Sequence, residues 1–260
     1  MTAQRTLLLY AIWSANVAIA LLAYGGYRLV RGSVAPQEWI YFLCVALFHA
    51  IFAIWFFKGR SLPAFQRATV AGRLATAALA GATAIFLLRG QSTSSLTGNA
   101  LLCYAVATCF VDLISALWTR QLLADTGGTR RATISFEGKN RIAFGVYMIA
   151  IGSWLLFAPN SFLGFLHMPP TRFAGFAALD IGPIHVLGVQ VLVLAAYNLV
   201  AARHDLKPLI DAGMHGGTLT AVAFIVLVAA GLVHPIALLL PAVDVVSIVL
   251  TALHRRGRGS

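Results

Sequence analysis

The sequence predicts an all-α membrane protein: eight transmembrane helices as two parallel four-helix repeats, with both termini in the cytoplasm. Three observations predict it: composition, the spacing of apolar segments, and the distribution of basic residues. Of the 260 residues, 60% are hydrophobic and only 10% are charged. Soluble domains carry roughly 25% charged residues, so lipid must be the solvent for much of this chain.

A helix rises about 1.5 Å per residue and must cross roughly 30 Å of hydrocarbon, which takes about 20 apolar residues. Eight segments meet that length: Leu7–Val30, Glu38–Phe57, Ala68–Leu88, Asn99–Leu122, Ile142–Leu166, Pro183–Ala202, Met214–Leu232 and Pro235–Leu253. Pro183 and Pro235 stand at first helical positions, where the missing N–H is no loss. The last two segments meet at a tight turn at Val233-His234; a seven-helix chain with those two merged is the rival count. No A-x-A cleavage pattern follows the first apolar run, so it reads as a membrane helix rather than a removed signal peptide.

Charge fixes the orientation. With the N-terminus inside, all but Arg28, Arg31, Arg89 and Arg172 of the 19 Lys and Arg residues fall on the cytoplasmic side. This is the positive-inside bias of an inner (cytoplasmic) membrane protein. The net charge of +11 therefore serves orientation and contact with membrane lipids rather than nucleic acid.

The domains are a first repeat over 1–122, a cytoplasmic linker over 123–141 and a second repeat over 142–260. Ala53–Arg60 is echoed by Ala196–Arg203, each followed by a proline, Pro63 and Pro208. Val111-Asp112 and Val243-Asp244 close the two halves. An even number of helices per repeat leaves both halves with the same orientation, related by an axis along the membrane normal. Small residues let helices approach closely, which places the third and seventh segments, with Ala71, Gly72, Ala75, Gly81, Gly213, Gly216 and Gly217, near the centre.

Phe65–Arg73, followed by Val111–Thr119, resembles the closing helix pair of small four-helix bacterial membrane proteins of uncharacterised function. Trp154–Asn160, Leu187-Gly188 and Ala201–Asp205 are similar to the opening pair of the same type. The resemblance implies a duplicated four-helix unit and no activity.

An ionised Asp at a helix centre costs about 2.5–3.5 kcal/mol, so an intramembrane carboxylate needs a reason. Asp112 and Asp244 each lie nine or ten residues from the cytoplasmic end of their segment, about 15 Å deep at the helical rise. Asn16, His49 and Thr76 share that level in the first half; Ser153, Thr220 and, further outward, Gln190 share it in the second. Three roles fit this layer. Its groups hydrogen-bond across helices and hold the bundle together. Alternatively, Asp112 and Asp244 take up and release protons on a transport path, with His49 assisting. A third role is an acid–base pair of His49 and Asp112 acting on a lipid or quinone. Arg73 is a candidate partner for Asp112, but helical side chains lean toward their own N-terminus, which directs Arg73 inward and Asp112 outward and favours snorkelling of Arg73 toward the cytoplasm over direct pairing.

His167, His185 and His234, with Asp180, fall on the outer face of the second half, where imidazole and carboxylate suit zinc or copper, although no tight spacing supports a site. Cys44, Cys103 and Cys109 lie in apolar segments without CxxC spacing and read as core residues. A single deep histidine does not provide a haem ligand pair. No lysine lies inside a segment to carry retinal, and no P-loop, H-E-x-x-H or G-x-S-x-G motif occurs. The sequence thus expects no cofactor. It leans away from an enzyme and toward a binding or transport protein for a small or amphipathic ligand. The alternative is a scaffold or assembly subunit docking other membrane proteins or a second copy.

Overall fold

A computed structural model describes residues 2–32, 36–89, 96–123, 133–167 and 183–257. Among them there are α-helices and one 3-10 turn, and no strand. The helices are α1 (Ala3–Val30), α2 (Pro36–Gly59), α3 (Pro63–Arg89), α4 (Leu96–Leu122), α5 (Phe136–Phe157), α6 (Pro159–Phe165), α7 (Pro183–Arg203), α8 (Lys207–Ala229) and α9 (Leu239–Arg256). Six helical stretches are long and apolar enough to cross a membrane: α1, α3 over Pro63–Ile85, α5, α7 over Ile184–Arg203, α8, and Pro235–Arg256. The described side chains of α2 form a shorter apolar stretch, Leu43–Gly59.

The fifth segment differs from expectation at both ends. The Ser135 hydroxyl caps the helix by accepting from Gly138 N at 3.1 Å, so α5 starts at Phe136 rather than Ile142 and takes in Glu137, Lys139 and Arg141. It stops at Phe157 because Pro159 has no N–H to continue the ladder and forces the preceding Ala158 out of helical geometry (φ −141°, ψ 56°). A separate short helix, α6, follows. The tight turn after α8 is a true break: Gly231 adopts φ +69°, and α8 and α9 pack against each other as separate helices.

Polarity is distributed from outside to inside in the reverse of a water-soluble protein. Phe110, Ile114 and Trp118 of α4, Val222 and Ile225 of α8, and Val245, Val246 and Val249 of α9 are exposed, while Arg73, Asp112, Arg141, Gln190 and Asn198 are buried. So broad an apolar exterior is what lipid covers. Helices pack in neighbouring pairs, α1 with α2, α3 with α4, α5 with α7, and α8 with α9.

The centre is formed by α2 and α7, the second and sixth segments, rather than by the third and seventh. The small residues of α3 and α8 instead make grooves that receive large side chains from the central pair. Gly72 of α3 lies against Tyr197 of α7, and Gly216 of α8 against Ile51 of α2. Ala71 and Ala75 point outward. Around Tyr197 the rings of Phe52, Trp55, Phe56 and Phe65 close at centroid distances of 5.1–6.3 Å. These edge and tilted contacts fill the space between α2, α3 and α7.

Candidate functional site: two carboxylates and an apolar cavity

Asp112, on α4, is fully buried and accepts a hydrogen bond from the Tyr10 hydroxyl of α1. Its second oxygen, Oδ2, has no partner. The Tyr10 ring lies 5.4 Å from the Arg73 guanidinium, so tyrosine stands between the arginine and the carboxylate. Arg73 and Asp112 make no direct ion pair.

Arg73 leans toward the N-terminus of its helix and ends inside the bundle. It is 1% exposed, and it donates from Nε to Thr69 O (3.1 Å) and from Nη2 to Thr69 Oγ1 (3.0 Å) and Thr119 Oγ1 (2.9 Å). One threonine hydroxyl on its own helix and one on the facing α4 hold it there.

His49 is buried on α2, and its Nε2 meets the Tyr104 hydroxyl at 2.7 Å, not Asp112. The proposed acid–base pair is thus not formed; each member has its own tyrosine. Asn16 is exposed on α1, and Ser14 is the buried polar residue of that turn. Thr76 and Thr220 satisfy their hydroxyls on Gly72 O and Gly216 O of their own helices, each at 3.0 Å. Gln190 is 2% exposed, with Oε1 unpartnered.

The second half is arranged around a cavity of about 160 Å³ between α2, α5, α6, α7, α8 and α9. Its wall is mainly Leu, Ile, Val and Phe. Along α7 it runs from Ile184 to Asn198, 14 residues, or about 21 Å at the helical rise. The polar groups on the wall are Tyr147, Asn198, Thr220 and Asp244, together with Cys44 and Trp55. Asp244 packs on bare backbone at Gly217, where an added Cβ would lie 3.0 Å from Oδ1. One turn earlier, Gly213 plays the same part for Arg141, with a Cβ position 2.6 Å from Nη1. The Arg141 guanidinium donates to Ile210 O at 3.0 Å and is close enough to Asp244 for their charges to interact.

Sequence reasoning missed Tyr10, Tyr104, Asn198 and Arg141. Arg141 had been placed in the linker as one of the orienting charges. The available signal was the Ser135 cap with Glu137 in the first turn, which extends the helix through Arg141. Below the cavity, Glu137 receives two hydrogen bonds from Arg255 (3.2 and 2.8 Å), and Arg255 also pairs with Asp211 at 2.7 Å. These contacts tie the starts of α5 and α8 to the end of α9.

Of the outer histidines, His167 and His234 come together with ring centroids 4.5 Å apart. His234 is also the cap of the 3-10 turn, its Nδ1 accepting from Ile236 N at 3.3 Å. Asp180 lies outside the described residues, and among those described no group of three His, Cys, Asp or Glu side chains is set to hold a metal ion. When the chain is compared with protein-family models, curated proteins and solved structures, none of them matches it.

Proposed function

We propose that this chain is a multi-pass inner-membrane protein that binds, and in turn carries, a small or amphipathic lipophilic ligand in the cavity between its halves. The cavity carries the proposal. It is a largely apolar space lined by α2 of the first half and the helices of the second, with Asp244 on its wall. Apolar walls with a few convergent polar groups are the usual make-up of a ligand site. A cavity of about 150 Å³ with such walls stays dry and accepts benzene-sized molecules.

In the same proposal the chain spans the membrane eight times, as two four-helix units with both ends in the cytoplasm. The packing supports a duplication. Exchanging α1, α2, α3 and α4 for α5, α7, α8 and α9 converts the α1–α4 contact into α5–α9 and the α3–α7 contact into α2–α8, and all four contacts occur. That pattern is what a two-fold relation between halves produces.

Native mass spectrometry of the protein in mild detergent tests the binding. Wild type should retain one lipophilic molecule per chain, and a variant with its cavity filled, Leu187→Trp, should lose it. Equal adducts on both would refute the site. Cysteines placed singly at positions 2 and 258, in a chain with Cys44, Cys103 and Cys109 replaced, test the topology. Both should resist impermeant reagent added to the outside of intact cells, and labelling of either one would refute the topology.

A further inference from the structure

Two unpaired polar groups meet at one end of the cavity. Along α2 the wall runs from Ile40 to Trp55 and along α7 from Ile184 to Asn198, so Trp55 and Asn198 close the two rows near the ends of their helices. Tyr197, next to Asn198 in the chain, lays its ring 6.3 Å from that of Trp55. Both Trp55 and Asn198 are 1% exposed. Among the described residues the Trp55 Nε1–H finds no acceptor and Asn198 Oδ1 no donor, while Asn198 Nδ2 donates to Leu194 O at 2.9 Å. The other polar groups of the wall have partners or water. The Tyr147 hydroxyl donates to Leu240 O (3.1 Å) and the Thr220 hydroxyl to Gly216 O (3.0 Å), and Asp244 is half-buried and faces the charge of Arg141. What remains is one donor and one acceptor, each costly while unpaired.

We infer that the cavity takes a compact, uncharged one-ring molecule with a single hydroxyl, of the simple phenol type. This inference rests on the ligand-binding role proposed for the cavity. A hydroxyl both accepts and donates, so one group answers the Trp55 Nε1–H and Asn198 Oδ1 together. Both protein groups left water on folding, so pairing them favours the hydroxyl over a bare ring. Size sets the rest of the molecule. At about 160 Å³ the space matches cavities that take one benzene ring and is too small for a long-chain lipid. Phe48, Phe144, Phe162 and Phe224 stand on the wall and suit an aromatic guest through edge and offset contacts. A ring also has few rotors to immobilise. Arg141 and Asp244 already offset each other, so an ionised ligand would enter without a counter-charge.

Three fluorinated rings of like size isolate the hydroxyl: para-fluorophenol, para-fluoroanisole and fluorobenzene. A terminally fluorinated dodecanol serves as the long-chain control. Each is titrated against detergent-purified protein at about pH 7, where a phenol is uncharged, and followed by fluorine NMR. Protein-free micelles and Leu187→Trp, with its cavity filled, give the non-specific background. Para-fluorophenol should bind about tenfold more tightly than fluorobenzene, with para-fluoroanisole, which only accepts, between them. Asn198→Leu should weaken para-fluorophenol about fivefold and leave para-fluoroanisole unchanged, whereas Trp55→Phe should weaken both. Fluorobenzene or para-fluoroanisole matching para-fluorophenol would overturn the hydroxyl inference and leave the cavity role standing. Saturable binding of the dodecanol without that of the rings would overturn the compact ligand alone. Failure of all four to bind saturably would overturn the cavity role as well. Should either variant not fold, the wild-type series decides alone.

Discussion

The contact between Tyr10 and Asp112 offers the sharpest test of how the first half is held together. Tyr10→Phe keeps the ring, with its edge contact to Phe56 at 4.5 Å and its position over Arg73, and removes only the hydroxyl. Asp112 is fully buried and Oδ2 already lacks a partner, so the variant leaves the carboxyl with no hydrogen bond at all. Stranding a buried polar group costs about 1–3 kcal/mol, and side-chain hydrogen bonds inside membrane bundles reach about 1.7 kcal/mol at most. We therefore expect Tyr10→Phe to destabilise by about 1.5 kcal/mol. Asp112→Leu strands the tyrosine hydroxyl instead. Any effect on Arg73 enters both arms that carry this change and cancels. In the double variant neither partner is left over, so the cost should fall short of the sum by about 1.5 kcal/mol. Unfolding in mixed micelles by added sodium dodecyl sulfate, followed by circular dichroism, measures all four chains. Additivity within about 0.5 kcal/mol would show that the pair contributes nothing specific.

Two further outcomes follow from the packing. Gly72→Ala places a Cβ 2.9 Å from Tyr197 Cζ and 3.0 Å from Val193 Cγ1. The surrounding rings keep Tyr197 from moving aside, so overpacking should outweigh the helix-propensity gain of about 1 kcal/mol and lower stability by about 1–2 kcal/mol in the same micelle assay. At the start of α5, Glu137→Gln breaks the paired contact with Arg255, whose side chain is 39% exposed. Solvent screening limits the loss to about 0.5–1 kcal/mol, and stability measured at high ionic strength should differ less between variant and wild type.

Helix positions were legible because apolarity over about 20 residues is a strong and local signal. The same signal failed at the fifth helix, where polar residues continue the helix below the apolar run and a proline interrupts it above. Hydropathy weighs Lys139 and Arg141 against a span, yet a Ser135 cap carries the backbone through both. Of the expected polar layer, Asp112, His49 and Gln190 are buried, whereas Asp244, Thr76, Ser153 and Thr220 are half-buried and Asn16 is exposed. Azimuth was not legible. Ser14 and Asn16 differ in height by two residues, but they lie about 200° apart around α1, and only Ser14 faces inward. Partners were the least legible of all. Tyr10 and Asp112 are 102 residues apart, and only the packing of α1 against α4 brings them together.

The two halves differ in what surrounds their inward-facing charges. Arg73 is closed in by two threonines and an aromatic ring, and Asp112 by a tyrosine. Their neighbourhood is filled by Trp55, Phe56, Phe65 and Tyr197, each no more than 2% exposed. Among the described residues Arg141 has one backbone acceptor and Asp244 no hydrogen-bond donor, and the helix between them presents Gly213, Gly216 and Gly217. The arginines also come from helices that the proposed duplication would not equate, α3 in one half and α5 in the other. A charge held by its own side-chain partners stabilises a frame, whereas a charge set on bare glycine backbone beside open space leaves its hydrogen-bonding capacity for something else. Under the proposed ligand-binding role, that physical difference makes the first half the support and the second the binding half. Trp55 stands at the junction, with its ring packed on Phe65 and Tyr197 while it also lines the cavity wall. Through it, a ligand bound as proposed would bear on the packing of the first half.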